Sequence, residues 1–135
     1  MISLDTNILV RFITRDNETQ LHDVLKLFHS LEKDNKQAFI PLMVVLEVNW
    51  VLSQFYKMSR IEIIEYLLPL FDSSILVIEN ASELRKILID AKDNTFDLSD
   101  LLIGCRCAVA NNLPIVTFDK KASKIDNFIA MKDII

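Results

Sequence analysis

Apolar residues fall along the chain in short continuous runs that alternate with longer stretches of helical spacing. Met1–Leu4 is the first run, and it stops at Asp5-Thr6-Asn7. Leu21, Val24, Leu25, Phe28 and Leu31 then recur at the spacing of an amphipathic helix. Ala38–Ile40 is a second short run, closed by Pro41, and Met43–Phe55 is long and apolar enough to predict a buried helix. Ser59-x-x-Glu62 is a capping box ahead of Ile63, Ile64, Leu67 and Leu68, and Pro69 limits that helix. Ile75–Ile78 predicts a third strand. Asn80-x-x-Glu83 predicts a cap for a helix through Leu84, Ile87, Leu88 and Ala91. Asp97-x-x-Asp100 opens another helix that runs to about Asn111. Pro114–Phe118 predicts a fourth strand ending at Asp119, and Phe128–Ala130 a fifth.

Short apolar strands separated by helices mean parallel β–α units. The expected fold is therefore α/β: one domain over residues 1–135, a three-layer α/β/α sandwich whose central parallel sheet is covered by helices on both faces. In such sheets the ligand crevice lies at the carboxyl ends of the strands. The residues that directly follow each strand become the chemical candidates.

Composition narrows the chemistry. A single glycine among 135 residues excludes every Gly-rich phosphate loop, and two His with two Cys exclude most His/Cys zinc sites. A net charge of −4 argues against binding nucleic acid by bulk electrostatics alone, although bound cations invert a local field. Cys105 and Cys107, one residue apart in an apolar helical pattern, read as reduced, buried thiols of a cytoplasmic protein. The longest uncharged apolar stretch, Ala38–Leu46, is far too short for a membrane span.

What remains is carboxylate. Asp5 directly follows the first strand and Asp119 the fourth, so both are expected in one crevice; each is also a natural helix N-cap. Glu47 shares a helical stripe with Met43, Val44, Trp50 and Val51. A carboxylate buried there would need a cation, either a basic side chain or a metal. Asp97 fits an N-cap and Asp100 the third position of the same helix, on its dipole or facing the crevice. Carboxylates gathered on one crevice repel without cations, and an all-oxygen site suits Mg²⁺ or Mn²⁺. Such ions serve phosphodiester hydrolysis.

Leu4-Asp5-Thr6-Asn7, Glu47 in its long apolar helix, Phe96-Asp97-Leu98-Ser99-Asp100 and Thr117-Phe118-Asp119, in that order over nearly the whole chain, resemble the PIN domain of VapC-type toxins from toxin–antitoxin pairs. The resemblance implies that Asp5, Glu47, Asp100 and Asp119 form an acidic quartet binding Mg²⁺ or Mn²⁺ for RNA cleavage. It implies hydrogen-bonding support from Asn7 and Thr117, a homodimer, and a cognate antitoxin that occludes the crevice. Ser99 and Leu101 stand where the motif commonly carries alanine, a packing change that leaves the quartet intact.

Other residues have two readings each. Asp97 is a cap that also supports the site. Arg11, Arg15, Lys120, Lys121 and Lys124 hold RNA phosphates or form a solvated basic face. His22 and His29 lack partners at ligand spacing and read as surface or partly buried. Gly104 inside a helix predicts close packing against a strand. The apolar residues of helices 21–31 and 44–71 exceed one small core, so part of them is expected to form a dimer or antitoxin surface. A catalytically inactive interaction module is the alternative function. Two phosphate-handling α/β classes fit less well. Asn7 stands where a haloacid-dehalogenase-type phosphatase needs Asp, and Glu79-Asn80 where a receiver needs its phosphoacceptor.

Overall fold

Three short strands organise residues 1–81: β1 (Ile2–Ser3), β2 (Ala38–Ile40) and β3 (Leu76–Ile78). They pair in the order β1-β2-β3, both pairings parallel, with Ile2 beside Ala38 and Ala38 beside Leu76. A computed structural model describes all 135 residues and divides them into two compact units, Met1–Ala81 and Ser82–Ile135. Helices α1 (Thr6–Thr14) and α2 (Glu18–Lys33) connect β1 to β2; α3 (Leu42–Gln54) and α4 (Arg60–Leu67) connect β2 to β3. The α/β class and the parallel pairing are those that the alternating pattern predicts.

Helix α1 is not announced by that pattern. It follows the first strand after only two residues, so strand and helix read as one apolar run. Asp5 separates them: its side chain accepts a hydrogen bond from the Asn7 backbone N–H at 3.2 Å and caps α1. Thr6, Leu9, Val10 and Ile13 form the buried stripe.

Helix α3 corrects the expectation for Glu47. The buried stripe is Leu42, Val45, Val48, Asn49 and Leu52, whereas Met43, Glu47 and Trp50 share the exposed face. Thirteen residues that are apolar almost all round leave the choice of face to tertiary packing. The buried polar residue of this helix is Asn49, not Glu47. Pro41, the N-cap, has no side chain that can accept a hydrogen bond. Glu79, just beyond β3, supplies one: its Oε1 accepts from the Leu42 N–H at 2.9 Å. The capping box Ser59/Glu62 on α4 forms as the motif predicts. The cap expected from Asn80 does not: Asn80 is left-handed, φ 52°, and its buried Oδ1 has no hydrogen-bond partner.

A polar cluster fastens the α1–α2 turn to the loop after α3. The Arg11 guanidinium donates from Nε to Gln20 at 2.6 Å, and from Nη1 to Tyr56 at 3.1 Å and Asp16 at 3.2 Å. The Tyr56 and Thr14 hydroxyls donate to Asp16 at 2.6 and 2.8 Å. These hydroxyl bonds, with Arg11 beside them, hold the Asp16 carboxyl below its ordinary range.

Residues 82–135 carry α5 (Ala81–Asp90, beginning one residue earlier), α6 (Leu98–Val109), the parallel pair β4 (Ile115–Thr117) and β5 (Phe128–Ala130), and α7 (Met131–Ile134). Leu84, Leu88, Leu98, Leu102 and Cys105 are buried. Gly104 meets β5 closely, as its place in a helix predicts: a Cβ there would lie 3.0 Å from the Phe128 ring. With one glycine in the chain, the left-handed positions are taken by Asn35, Asn80, Asn111 and Asn127, with Arg15 and Lys57. Asparagine is the side chain that tolerates this conformation best.

Two outcomes follow. Replacing Asp16 by Asn lowers stability at neutral pH. Because the native carboxyl titrates below its unfolded value, the wild-type advantage is full above about pH 4 and vanishes as pH falls through the lowered native value; denaturant melts from pH 2 to 7 measure it. Replacing Gly104 by Ala fails to deliver the ~1 kcal/mol that an open helical site gives, because the Phe128 ring must move, and Gly104→Val is destabilising in the same melts.

Candidate active site

Each unit holds part of the predicted acidic set. In the second, Asp97 is the N-cap of α6, with its side chain accepting from the Asp100 N–H at 3.2 Å. Asp100 is the third helical residue, as its spacing predicts. Asp119 is the second residue after β4, with Phe118 between. Its N–H donates to Thr117 Oγ1 at 3.0 Å, and its Oδ1 accepts from the Ala122 N–H at 2.7 Å. Thr117 thus fixes the turn that carries Asp119, and Asp119 in turn holds the N–H of Ala122, the first residue of the short turn Ala122–Lys124.

These three carboxylates interact. The Asp100 carboxyl is pushed above its ordinary range, first by burial and then by the negative charges of Asp97 and Asp119. The strand–turn and helix N-terminus of this unit therefore bring three acidic side chains within electrostatic reach. Asp97 and Asp119 each spend one oxygen on a backbone N–H and keep the other free of that bond.

In the first unit, Asp5 is exposed and lines a groove of about 420 Å³ together with Asn7, Arg11, Gln20 and Asp23. The support expected from Asn7 reaches Asp5 through the backbone N–H, not the side-chain amide. Glu47 is exposed on α3, so no buried ion pair forces a partner on it.

Among the basic candidates, Arg11 is half-buried, and its Nε and Nη1 donate to Gln20, Asp16 and Tyr56. Lys120, Lys121 and Lys124 are exposed. His22 and His29 are exposed as well. Both cysteines are free, Cys105 buried and Cys107 half-buried. Glu79 is the one acidic residue at a strand end that the pattern left without a role. The signal for it was Pro41, a helix start with no acceptor of its own.

The donor chemistry fits a hard divalent cation: oxygen only, carboxylates that repel one another, and free oxygens beside those used as caps. No three Asp, Glu, His or Cys side chains stand as a ready cluster of ligands. Mg²⁺ does not require one, since it keeps several waters and takes one or two carboxylates.

The coupling has a consequence for stability. A carboxyl whose native pKa is raised binds its proton more tightly when folded, so its ionisation costs stability once pH passes the unfolded value of 3.8. Asp100→Asn is accordingly neutral or stabilising in EDTA at neutral pH, and that gain disappears below about pH 4. Thermal melts at both pH values measure it; a loss of stability at neutral pH would contradict the repulsion.

No curated protein matches the chain as a relative. A family model does match, and it spans both units. The model of the PIN domain covers residues 2–127, a stretch that includes Asp5, Glu47, Asp97, Asp100 and Asp119. With parallel α/β architecture and acidic side chains at the strand ends and helix starts, the chain belongs to the PIN domain family.

Proposed function

We propose that this protein is a divalent-metal-dependent endoribonuclease and the toxin of a toxin–antitoxin pair. PIN domains are generally nucleases, and the family match supports that class of activity here. The observation that carries the metal reading is the placement of Asp97, Asp100 and Asp119: backbone N–H groups hold Asp97 and Asp119, and their charges add to burial in raising the Asp100 carboxyl. A fold that holds carboxylates against their own repulsion has a use for a bound cation. Because one family model runs through both units, we read residues 1–135 as one domain.

On this reading Asp5, Glu47, Asp100 and Asp119 hold Mg²⁺ or Mn²⁺. When bound, the cation activates water and offsets charge on the phosphodiester during hydrolysis. Asp97 starts α6 and so sets the position of Asp100. Thr117 holds the turn of Asp119, and the Asn7 N–H orients Asp5. Lys120 and Lys121 hold phosphates that flank the scissile bond. Capped carboxylates need little reordering to act, which favours catalysis.

The partners belong to the same proposal: an RNA substrate, a second copy of the chain, and an antitoxin. The exposed apolar side chains Met43, Trp50, Phe55, Ile61 and Tyr66 support a protein-covered surface. Trp50 and Phe55 pack edge to face, 5.6 Å apart, while both stay exposed. No helix is long and apolar enough to cross a membrane, and free thiols suit the reducing cytoplasm proposed as its location.

The test is cleavage of RNA by purified protein. Activity appears with Mg²⁺ or Mn²⁺ and stops with EDTA. Asp97→Asn keeps most of it, since Asn caps nearly as well as Asp. Asp100→Asn lowers it by orders of magnitude in a protein that remains folded. Full activity in EDTA removes the metal, the opposite ranking of the two variants removes the role of Asp100, and no cleavage with any divalent cation makes the protein an inactive interaction module.

A further inference from the structure

Phe118 is 90% exposed, although it sits between two residues that the fold holds firmly. Thr117 ends β4, and Asp119 is tied at both its N–H and its carboxylate. A phenyl ring left in water between two tied residues forgoes the burial that most of the chain's other phenylalanines have, being buried or half-buried. The ring also lines a groove of about 630 Å³, and three of the side chains around that groove are Lys120, Lys124 and Lys132. Apolar cover comes from Ala130, Met131 and Ile135, and one acid, Asp133, lies among them.

We propose that Phe118 is a base-stacking residue of this groove, with single-stranded RNA as the occupant. The inference rests on the ribonuclease reading and adds a positioning contact to it. Charge complementarity selects the occupant. Three lysines against one aspartate favour a polyanion, and the whole chain, at −4, has no general attraction for one. Aromatic rings on a basic groove are how proteins hold unpaired nucleotides: lysines track the phosphates while the ring takes the face of a base. A stacked base is tolerant of sequence, since every base has a face to offer. It also requires the base to be free of a duplex, so Phe118 selects single strands and loops. Phe118 directly precedes Asp119, so a base on its ring fixes the adjoining backbone near that carboxylate. An acidic peptide would match the lysines equally, but it gains little from one isolated ring.

The experiment measures binding apart from cleavage. A fluorescein-labelled single-stranded RNA of twelve nucleotides is titrated with the protein in EDTA, and anisotropy is read. Phe118→Ala weakens binding roughly ten- to hundredfold. Phe118→Trp and Phe118→Tyr restore it, and Phe118→Leu, equally apolar but without a ring face, does not. A duplex RNA of the same length loses little on Phe118→Ala. The side chain is exposed, so unchanged melting temperatures show that each variant is folded. Equal binding by wild type and Phe118→Ala, or full rescue by Phe118→Leu, overturns the inference. So does absence of RNA binding by wild type, or a Phe118→Ala variant that changes oligomeric state and not RNA affinity. Cleavage then separates the two readings. RNA that binds through Phe118 but is left uncut whichever divalent cation is supplied sinks the nuclease and leaves the stacking contact standing. RNA cut with an unaltered KM in Phe118→Ala does the reverse.

Discussion

Acidic side chains at the starts of helices and turns hold this structure together and also make up its candidate chemistry. A helix begins with N–H groups that have no partner of their own, and a carboxylate there satisfies one and complements the helix dipole. Asp5 does this for α1, Asp97 for α6 and Asp119 for the turn after β4. Glu79 does it from a distance for α3, whose own first residues offer nothing. Elements of two or three residues, such as these strands, cannot stand alone. The caps fix where each following helix departs, and so where the strand ends point.

The same placement creates the electrostatic stress of the second unit. Asp100 is brought under the Asp97 cap by the turn of α6, and there it feels both Asp97 and Asp119. Surface carboxylates normally relieve such contacts by moving apart. Here two of the three are held by backbone hydrogen bonds, and the third is in the first turn of a helix whose other face is buried at Leu98, Leu102 and Cys105. Repulsion is therefore built into the backbone.

Much of this was legible in the residues. Strand ends and the Ser59 and Asp97 caps follow from local rules that operate within four residues. What the residues did not show depends on distance. Helix α1 was hidden because Ile8–Ile13 continues the apolar run of the first strand with only Asp5-Thr6-Asn7 between. The exposed face of α3 was hidden because hydrophobicity runs around the helix, so Glu47 looked buried in sequence and is solvated in space. Arg11 looked free because its partners Gln20 and Tyr56 are nine and forty-five residues away. Asn80 resembles a cap by its type and spacing, yet its positive φ turns the side chain away from that task.

The scarcity of glycine reaches further than the phosphate loops it excludes. Six residues with side chains occupy left-handed backbone, four of them asparagine. Arg15 and Lys57 carry strain there, on the order of 1 kcal/mol, that glycine would avoid, and the four asparagines carry less. Each also spares the chain the extra freedom that a glycine would have when unfolded. The strain is a fixed energy, whereas the entropy spared is weighted by temperature. Warming therefore shifts this exchange in favour of the folded state, at every one of the six turns.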